Sequence, residues 1–272
     1  VQIRRRLFGS PGAMTRLLPD IVSLTPSTYD DFLRCPRLLL NGTLLGIPPS
    51  DPAPATDQGL LVHDMLERIH AAGSCHDDAH VRDVLETHGA ANDHVRAIVA
   101  RHARRCPGAA SDRQAHEWTH ARFHLQPAPM FMATARIDAI WVHDGLLDAR
   151  DYKTGARRAD RVADIPAAHV QAFVLADAAR RRGLRLRLRY EYLQAEIDDD
   201  PEPWDLDDDD LGPLEEELRR AVARMWSDDE WRGVAEVELC RTCRYRSICR
   251  DSAAPGEPAW AVLVATVDEG SG

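Results

Sequence analysis

A chain of 272 residues, 44% of them apolar, can bury one large core or two small ones, which excludes a disordered segment. It holds no apolar run long enough to cross a bilayer, and Val1 to Arg16 is basic without the apolar stretch and small-residue cleavage site of a secretory signal, so a cytoplasmic protein with no membrane partner is expected. The formal charge of −10 argues against a uniformly basic nucleic-acid coat, yet it averages an uneven chain: Asp and Glu crowd into 196–217, while arginines gather at Arg4 to Arg6, Arg101 to Arg105, Arg157 to Arg161 and Arg180 to Arg189.

In chain order, 1–26 reads as an N-terminal extension. Residues 27–46 predict a short helix capped by Ser27 or Thr28 and stopped at Cys35-Pro36, then a second apolar stretch. A Pro-, Ala- and Asp-rich linker over 48–57 leads into a buried helix from Gly59 to His70, with Leu60, Val62, Leu66 and Ile69 apolar and His63, Glu67 and His70 on one stripe. The polar, His- and Arg-rich stretch that follows predicts a helical surface insertion over about 73–110, in which Cys75 and Cys106 stand alone.

The pattern switches to β over 116–142 and ends in FMATARIDAIWVH, an Asp144-Gly145 turn and the return run LLDARDYK, the clearest hairpin in the chain. A helix from about Pro166 to Arg182 carries Val170, Phe173, Val174 and Ala178 on one face and ends at Gly183. The strand 184–195 alternates Leu184, Leu186 and Leu188 with Arg185, Arg187 and Arg189, one face apolar and one basic. An acidic linker over about 198–213, a helix over 213–227, the cysteines Cys240, Cys243 and Cys249 as C-x2-C-x5-C, and a tail or extra strand over 251–272 complete the chain. The fourth patterned cysteine, Cys35, lies in an Arg-Cys-Pro-Arg turn near the other end; without a secretory signal, such a set favours metal binding over disulfides.

With Asp144 and Gly145 as the turn, counting back equally along both arms sets Asp138 opposite Asp151. Two carboxylates on one face repel, and burying them unpaired costs more, so the pair asks for a cation; oxygen donors suit magnesium or manganese. Lys153, two residues beyond Asp151, projects from the same face. Acid, acid and ammonium together fit phosphodiester hydrolysis, the metal activating water and Lys153 orienting the nucleophile or steadying the developing charge. The competing reading is an ordinary solvent-facing strand, and a one-residue bulge would throw the two acids to opposite faces.

Asp151-Tyr-Lys-Thr-Gly155 resembles the DYKTG motif of the RecB-like PD-(D/E)xK nucleases, and Arg136-Ile-Asp138 resembles the strand that precedes it. Val62-His63 with Leu66-Glu67 resembles the family's upstream helix, and Gln171 its QxxxY position; the resemblance spans about 27–250. It implies an α/β restriction-endonuclease-like core, a mixed central sheet flanked by helices with N-terminal and insertion helices added, forming a single nuclease domain over 27–250. His63, Asp138, Asp151 and the Tyr152 backbone carbonyl would bind magnesium or manganese; Lys153 would be catalytic with Asp138 and Asp151; Gln171 would position the DNA strand or the lysine; Glu117 would be a further acid. Two positions depart from the pattern: Ala135 stands where the family has Gly, and Leu175 where it has an aromatic residue.

Four thiolates can hold zinc or a 4Fe-4S cluster, and ligand count does not separate them. One remote cysteine and three grouped ones resemble the iron–sulfur arrangement of AddB-type and CRISPR-associated RecB-like nucleases, which implies that Cys35, Cys240, Cys243 and Cys249 hold 4Fe-4S, structural first because it closes nearly the whole domain into a loop. The implied activity is a Mg²⁺- or Mn²⁺-dependent exonuclease acting from single-stranded DNA ends in repair, recombination or CRISPR adaptation, alongside a helicase or CRISPR adaptation proteins. No P-loop occurs in the chain, so unwinding would come from elsewhere. The alternative is a non-catalytic or partner-dependent DNA-binding subunit stabilised by the iron–sulfur or a zinc centre.

Overall fold

A computed structural model describes residues 21–49, 54–72, 75–88, 93–107, 113–122, 130–155, 158–194, 200–228 and 230–253. In chain order the elements are β1 (Ile21–Leu24), α1 (Pro26–Arg34), α2 (Pro36–Leu39), α3 (Pro54–Ala72), α4 (Asp78–Thr87), α5 (Asp93–Ala103), β2 (Arg113–Arg122), β3 (Met130–His143), β4 (Leu146–Lys153), α6 (Pro166–Arg181), β5 (Arg185–Tyr192), β6 (Trp204–Leu206), α7 (Asp208–Ser227) and α8 (Val237–Arg241). The chain divides into two compact units: Val1–Ala53, Ala121–Met132 and Glu217–Gly272 form the first, Pro54–His120 and Ala133–Glu216 the second. Among the described residues no helix is long and apolar enough to cross a membrane. The extra strand or tail expected over AWAVLVATVDEG lies outside the described residues.

The second unit is α/β around a mixed sheet. β3 and β4 pair antiparallel, β4 and β5 parallel, and β5 and β6 antiparallel. Asp144 (φ 49°) and Gly145 (φ 70°) both adopt left-handed backbone, as a two-residue type I′ hairpin turn requires. Parallel pairing of β4 with β5 demands a crossover, and α6 supplies it. Gly183 (φ 66°) ends that helix, and Leu184 N returns to Ala179 O at 3.0 Å. Leu186, Leu188 and Tyr190 of β5 are buried, while the guanidinium of Arg187 pairs with Asp205 and that of Arg189 lies 3.0 Å from Asp148. Helices cover both faces: Gln171 of α6 meets Asp151, whereas Tyr152 packs in a core cluster with residues of α3, α4 and α5.

Several elements differ from expectation for identifiable reasons. The cap of α1 is Thr25, which exchanges hydrogen bonds with Thr28 in a capping box and lets Pro26 take the first helical position. Leu60 is 66% exposed, so the buried stripe of α3 runs through Val62, Met65, Leu66 and Ile69. The stretch expected as a surface insertion is part of the core: Val95, Ile98, Val99 and His102 of α5 recur at helical spacing and are all buried. The acidic segment expected as linker holds β6 and the start of α7, where Asp207 Oδ1 accepts from Asp209 N and Asp210 N, and the acidic first turn complements the helix dipole.

In the first unit, residues from early and late in the sequence pack together. Phe32 meets Trp231 edge-on at 6.2 Å, and Arg224 lies 5.5 Å over the Phe32 ring. Tyr29 donates to Glu217, Arg37 pairs with Asp251 at 3.3 Å, Arg244 with Asp31 at 3.0 Å, and Tyr245 donates to Ile47 O at 3.1 Å.

Candidate active site at the hairpin

The hairpin register is the one counted from the turn: β3 and β4 pair from His143↔Leu146 to Ala139↔Arg150, so Asp138 and Asp151 occupy the next position. There the ladder gives way to side chains. Tyr152 N donates to Asp138 Oδ2 at 2.7 Å, and Asp138 Oδ1 lies 2.9 Å from His63 Nδ1 of α3. Gln171 Nε2 donates to Asp151 Oδ1 at 2.6 Å, and Gln171 Oε1 accepts from the Tyr190 hydroxyl at 2.7 Å. Asp151 Oδ2 is buried, accepts no hydrogen bond of ordinary geometry and faces the Lys153 ammonium, which also lies 4.4 Å over the Tyr190 ring. The Asp151 side chain is 9% exposed against 33% for His63 and 34% for Lys153, so the site opens to solvent on the histidine and lysine side.

Burial pushes the Asp151 carboxyl above its ordinary value; Lys153 pulls it down, and the Asp138 charge pushes it further up. Burial alone would lower the Lys153 ammonium, but Asp151 and Asp138 hold it above its ordinary value. Burial disfavours protonated His63 too, and Asp138 and Asp151 again raise it. Negative potential thus dominates the site, and a divalent cation would relieve it. The donor set fits one: two carboxylates, one imidazole and a nearby backbone carbonyl are oxygen-rich, as magnesium and manganese prefer, and the buried Asp151 Oδ2 has the Lys153 ammonium as its partner.

The structure therefore brings His63, Asp138, Asp151, Lys153 and Gln171 together, with Tyr152 between the acid and the lysine. Glu117 lies on β2, its side chain outside the described set. Leu175, at the position where the resemblance leads to an aromatic, is fully buried. The phenol against Gln171 comes instead from Tyr190, which the period-two pattern of β5 puts on the same face as Leu186 and Leu188.

In the first unit the four patterned cysteines share a neighbourhood. Cys35 Sγ accepts from Val234 N at 3.4 Å, Cys240 Sγ donates to Val234 O at 3.6 Å and accepts from Ala253 N at 3.4 Å, and Cys243 Sγ accepts from Tyr245 N at 3.4 Å. Burial pushes the Cys249 thiol up, with the Cys35 and Cys243 charges adding to it. Backbone N–H groups aimed at sulfur favour the thiolate at Cys243, but burial outweighs them and holds the Cys243 thiol above its ordinary value too.

A second cluster escaped the sequence reading. His70, Cys75, His102 and Cys106 are all buried, with their ligand atoms within 4.8 Å of one another, an arrangement consistent with metal binding. The signal available was the pairing of each lone cysteine with a histidine, H-x4-C and H-x3-C; what brings the pairs together is the packing of α3 against α5.

Residues 23–250 match the PD-(D/E)XK nuclease superfamily. No curated protein matches the chain. Among solved structures, the crystal structure of SSO0001 aligns with 86% of this chain and 87% of that one at 15% identity and a TM-score of 0.39, a likeness too remote to bear on function.

Proposed function

Because the chain belongs to the PD-(D/E)XK nuclease superfamily, we propose that it is a magnesium- or manganese-dependent deoxyribonuclease that hydrolyses DNA from single-stranded ends. The observation that carries this reading is the buried Asp151 carboxylate, set beside Asp138 and ion-paired with the Lys153 ammonium. His63, Asp138, Asp151 and the Tyr152 carbonyl would hold the cation. When bound, it supplies Lewis-acid polarisation of a phosphoryl oxygen and acidifies water. Lys153 holds a proton on its half-open side, where it can orient the attacking water and steady charge on the phosphoryl oxygens as the bond to the leaving sugar oxygen breaks. Gln171, braced by Tyr190, fixes Asp151 so that its second oxygen stays directed at the site.

Cys35, Cys240, Cys243 and Cys249 would hold a structural 4Fe-4S cluster, and the nuclease domain would run over 27–250, with service in repair, recombination or CRISPR adaptation. The test is degradation of end-labelled linear single-stranded DNA beside a covalently closed single-stranded circle, in manganese, by anaerobically purified protein. The expected result is loss of the linear substrate only, abolished in Asp151→Ala and Lys153→Ala. Brown, iron-loaded protein that degrades neither substrate would transfer the proposal to a partner-dependent DNA-binding subunit.

A further inference from the structure

The stretch between α3 and β2 carries chemistry that the hydrolytic site does not use. His70 lies in the last turn of α3, Cys75 in the turn beyond it, His102 in the last turn of α5 and Cys106 just after it. Their exposures are 3%, 3%, 0% and 8%, so all four are buried.

The hydrogen bonds fix how the imidazoles are turned. His70 Nδ1 lies 2.9 Å from Leu66 O, and His102 Nδ1 lies 3.2 Å from Glu191 Oε2. A carbonyl and a carboxylate only accept, so each Nδ1 carries a proton and each Nε2 is turned inward. Those two nitrogens face each other at 3.3 Å, and Cys106 Sγ lies 3.4 Å from His70 Nε2. Two imidazole nitrogens and a sulfur this close in a buried site need a proton or a metal cation between them. A tetrahedral zinc, with its nitrogen and sulfur bond lengths, sets contacts of about 3.3 Å between two nitrogens and about 3.5 Å between nitrogen and sulfur.

We propose that His70, Cys75, His102 and Cys106 form a closed, structural tetrahedral zinc site, distinct from the oxygen-rich hydrolytic centre and from the four-cysteine centre. Two thiolates and two imidazoles select zinc over magnesium or manganese, and four buried protein ligands leave no open position for substrate. The supporting shell is of the kind such sites use: Glu191 orients His102 and is itself held by Arg150 Nη1 at 2.7 Å, while Arg150 Nη2 reaches Asp148 at 2.7 Å. The ion ties the ends of α3 and α5 and the turn before α4 into one clamp behind β4. His102 also packs edge-on against Tyr152 at 4.8 Å, and Tyr152 lies 6.2 Å from His63, so the clamp backs the strand that carries Asp151 and Lys153.

The metal content of the anaerobically purified full chain tests this without reference to nuclease activity, with zinc and iron counted separately in wild type, Cys75→Ser/Cys106→Ser, His102→Cys and Cys243→Ser. One zinc per chain is expected in wild type, lost from the double variant with iron unchanged, kept in His102→Cys because a thiolate replaces the imidazole, and kept in Cys243→Ser. Glu191→Gln should weaken zinc binding by about tenfold to a hundredfold. If the double variant does not fold, cobalt added to chelator-stripped Cys243→Ser protein, in which the four-cysteine set is broken, gives the same answer, since a tetrahedral site with thiolate ligands yields intense visible bands. No zinc in wild type and no such bands in Cys243→Ser would instead support a metal-free chain of hydrogen bonds through a protonated His102, and a Cys75–Cys106 disulfide would equally overturn the proposal.

Discussion

Gln171 shows how single side chains build the candidate site at the hairpin. It is 2% exposed, and both ends of its amide are committed, one to Asp151 and one to Tyr190. Gln171→Leu removes one hydrogen-bond partner from each of two buried groups, at a cost of about 1–3 kcal/mol in all. It should also lower hydrolysis by about tenfold to a hundredfold, as loss of an orienting partner does at metal sites. Tyr190→Phe removes only the outer contact and should cost about 1 kcal/mol with a smaller loss of rate. Thermal unfolding beside a hydrolysis assay separates the two effects; Gln171→Leu that unfolds early but hydrolyses at the wild-type rate would make the glutamine merely structural. Arg150 stands in a different kind of network, its side chain 10% exposed between Asp148 and Glu191 at 3% and 4%. Arg150→Ala leaves Asp148 to Arg189 and Glu191 to His102 alone and should destabilise the fold by about 1–3 kcal/mol, read by chemical denaturation. Asp138, Asp151 and Lys153 were legible in sequence because one tight turn fixes their register. The His70 to Cys106 cluster was not, because its halves lie on different helices and only packing joins them.

At the level of elements, the hairpin was readable because an Asp-Gly turn between alternating arms admits few geometries. Its strain is local: Gly145→Ala places a Cβ at φ 70° and should cost about 1–2 kcal/mol in thermal unfolding, leaving the hydrolytic residues in register. Helix α5 was misjudged from composition, since its histidines and arginines look solvated while its apolar positions recur at helical spacing and are buried. The acidic start of α7 was misjudged for the opposite reason: a run of aspartates reads as a solvated linker, yet at a helix N-terminus it is stabilising. In the first unit a Cβ on Gly42 would lie 2.9 Å from the Tyr245 hydroxyl. Gly42→Ala should therefore displace Tyr245, which follows Cys243 by two residues, cost about 1–3 kcal/mol and, on the proposal of a cluster on the four cysteines, reduce iron retention. Adding Tyr245→Phe should recover part of both, and an unchanged iron content in Gly42→Ala would separate that packing from the cysteine centre.

At the scale of the molecule, each compact unit carries its own candidate metal chemistry, sorted by ligand type: the four cysteines in the first, and the oxygen-rich and His2Cys2 sets in the second. The α/β class, the hairpin and the helix and strand that follow it were all legible in the sequence, because periodicity and turn chemistry are local, while the parallel crossover from β4 to β5 came from the structure. The core role of the stretch between α3 and β2 was not, because it depends on what α3 and the sheet leave uncovered. The central claim is that Asp138 and Asp151 hold a cation that Lys153 then serves. Manganese binding, followed by loss of the free-ion electron paramagnetic resonance signal, and DNA hydrolysis should be measured on the same preparations of wild type, Asp151→Asn and Lys153→Met. Wild type should do both, Asp151→Asn should do neither, and Lys153→Met should keep manganese while hydrolysis falls by about a hundredfold to a thousandfold. Asp151→Asn that binds manganese and degrades DNA as wild type does would contradict the assignment of this site.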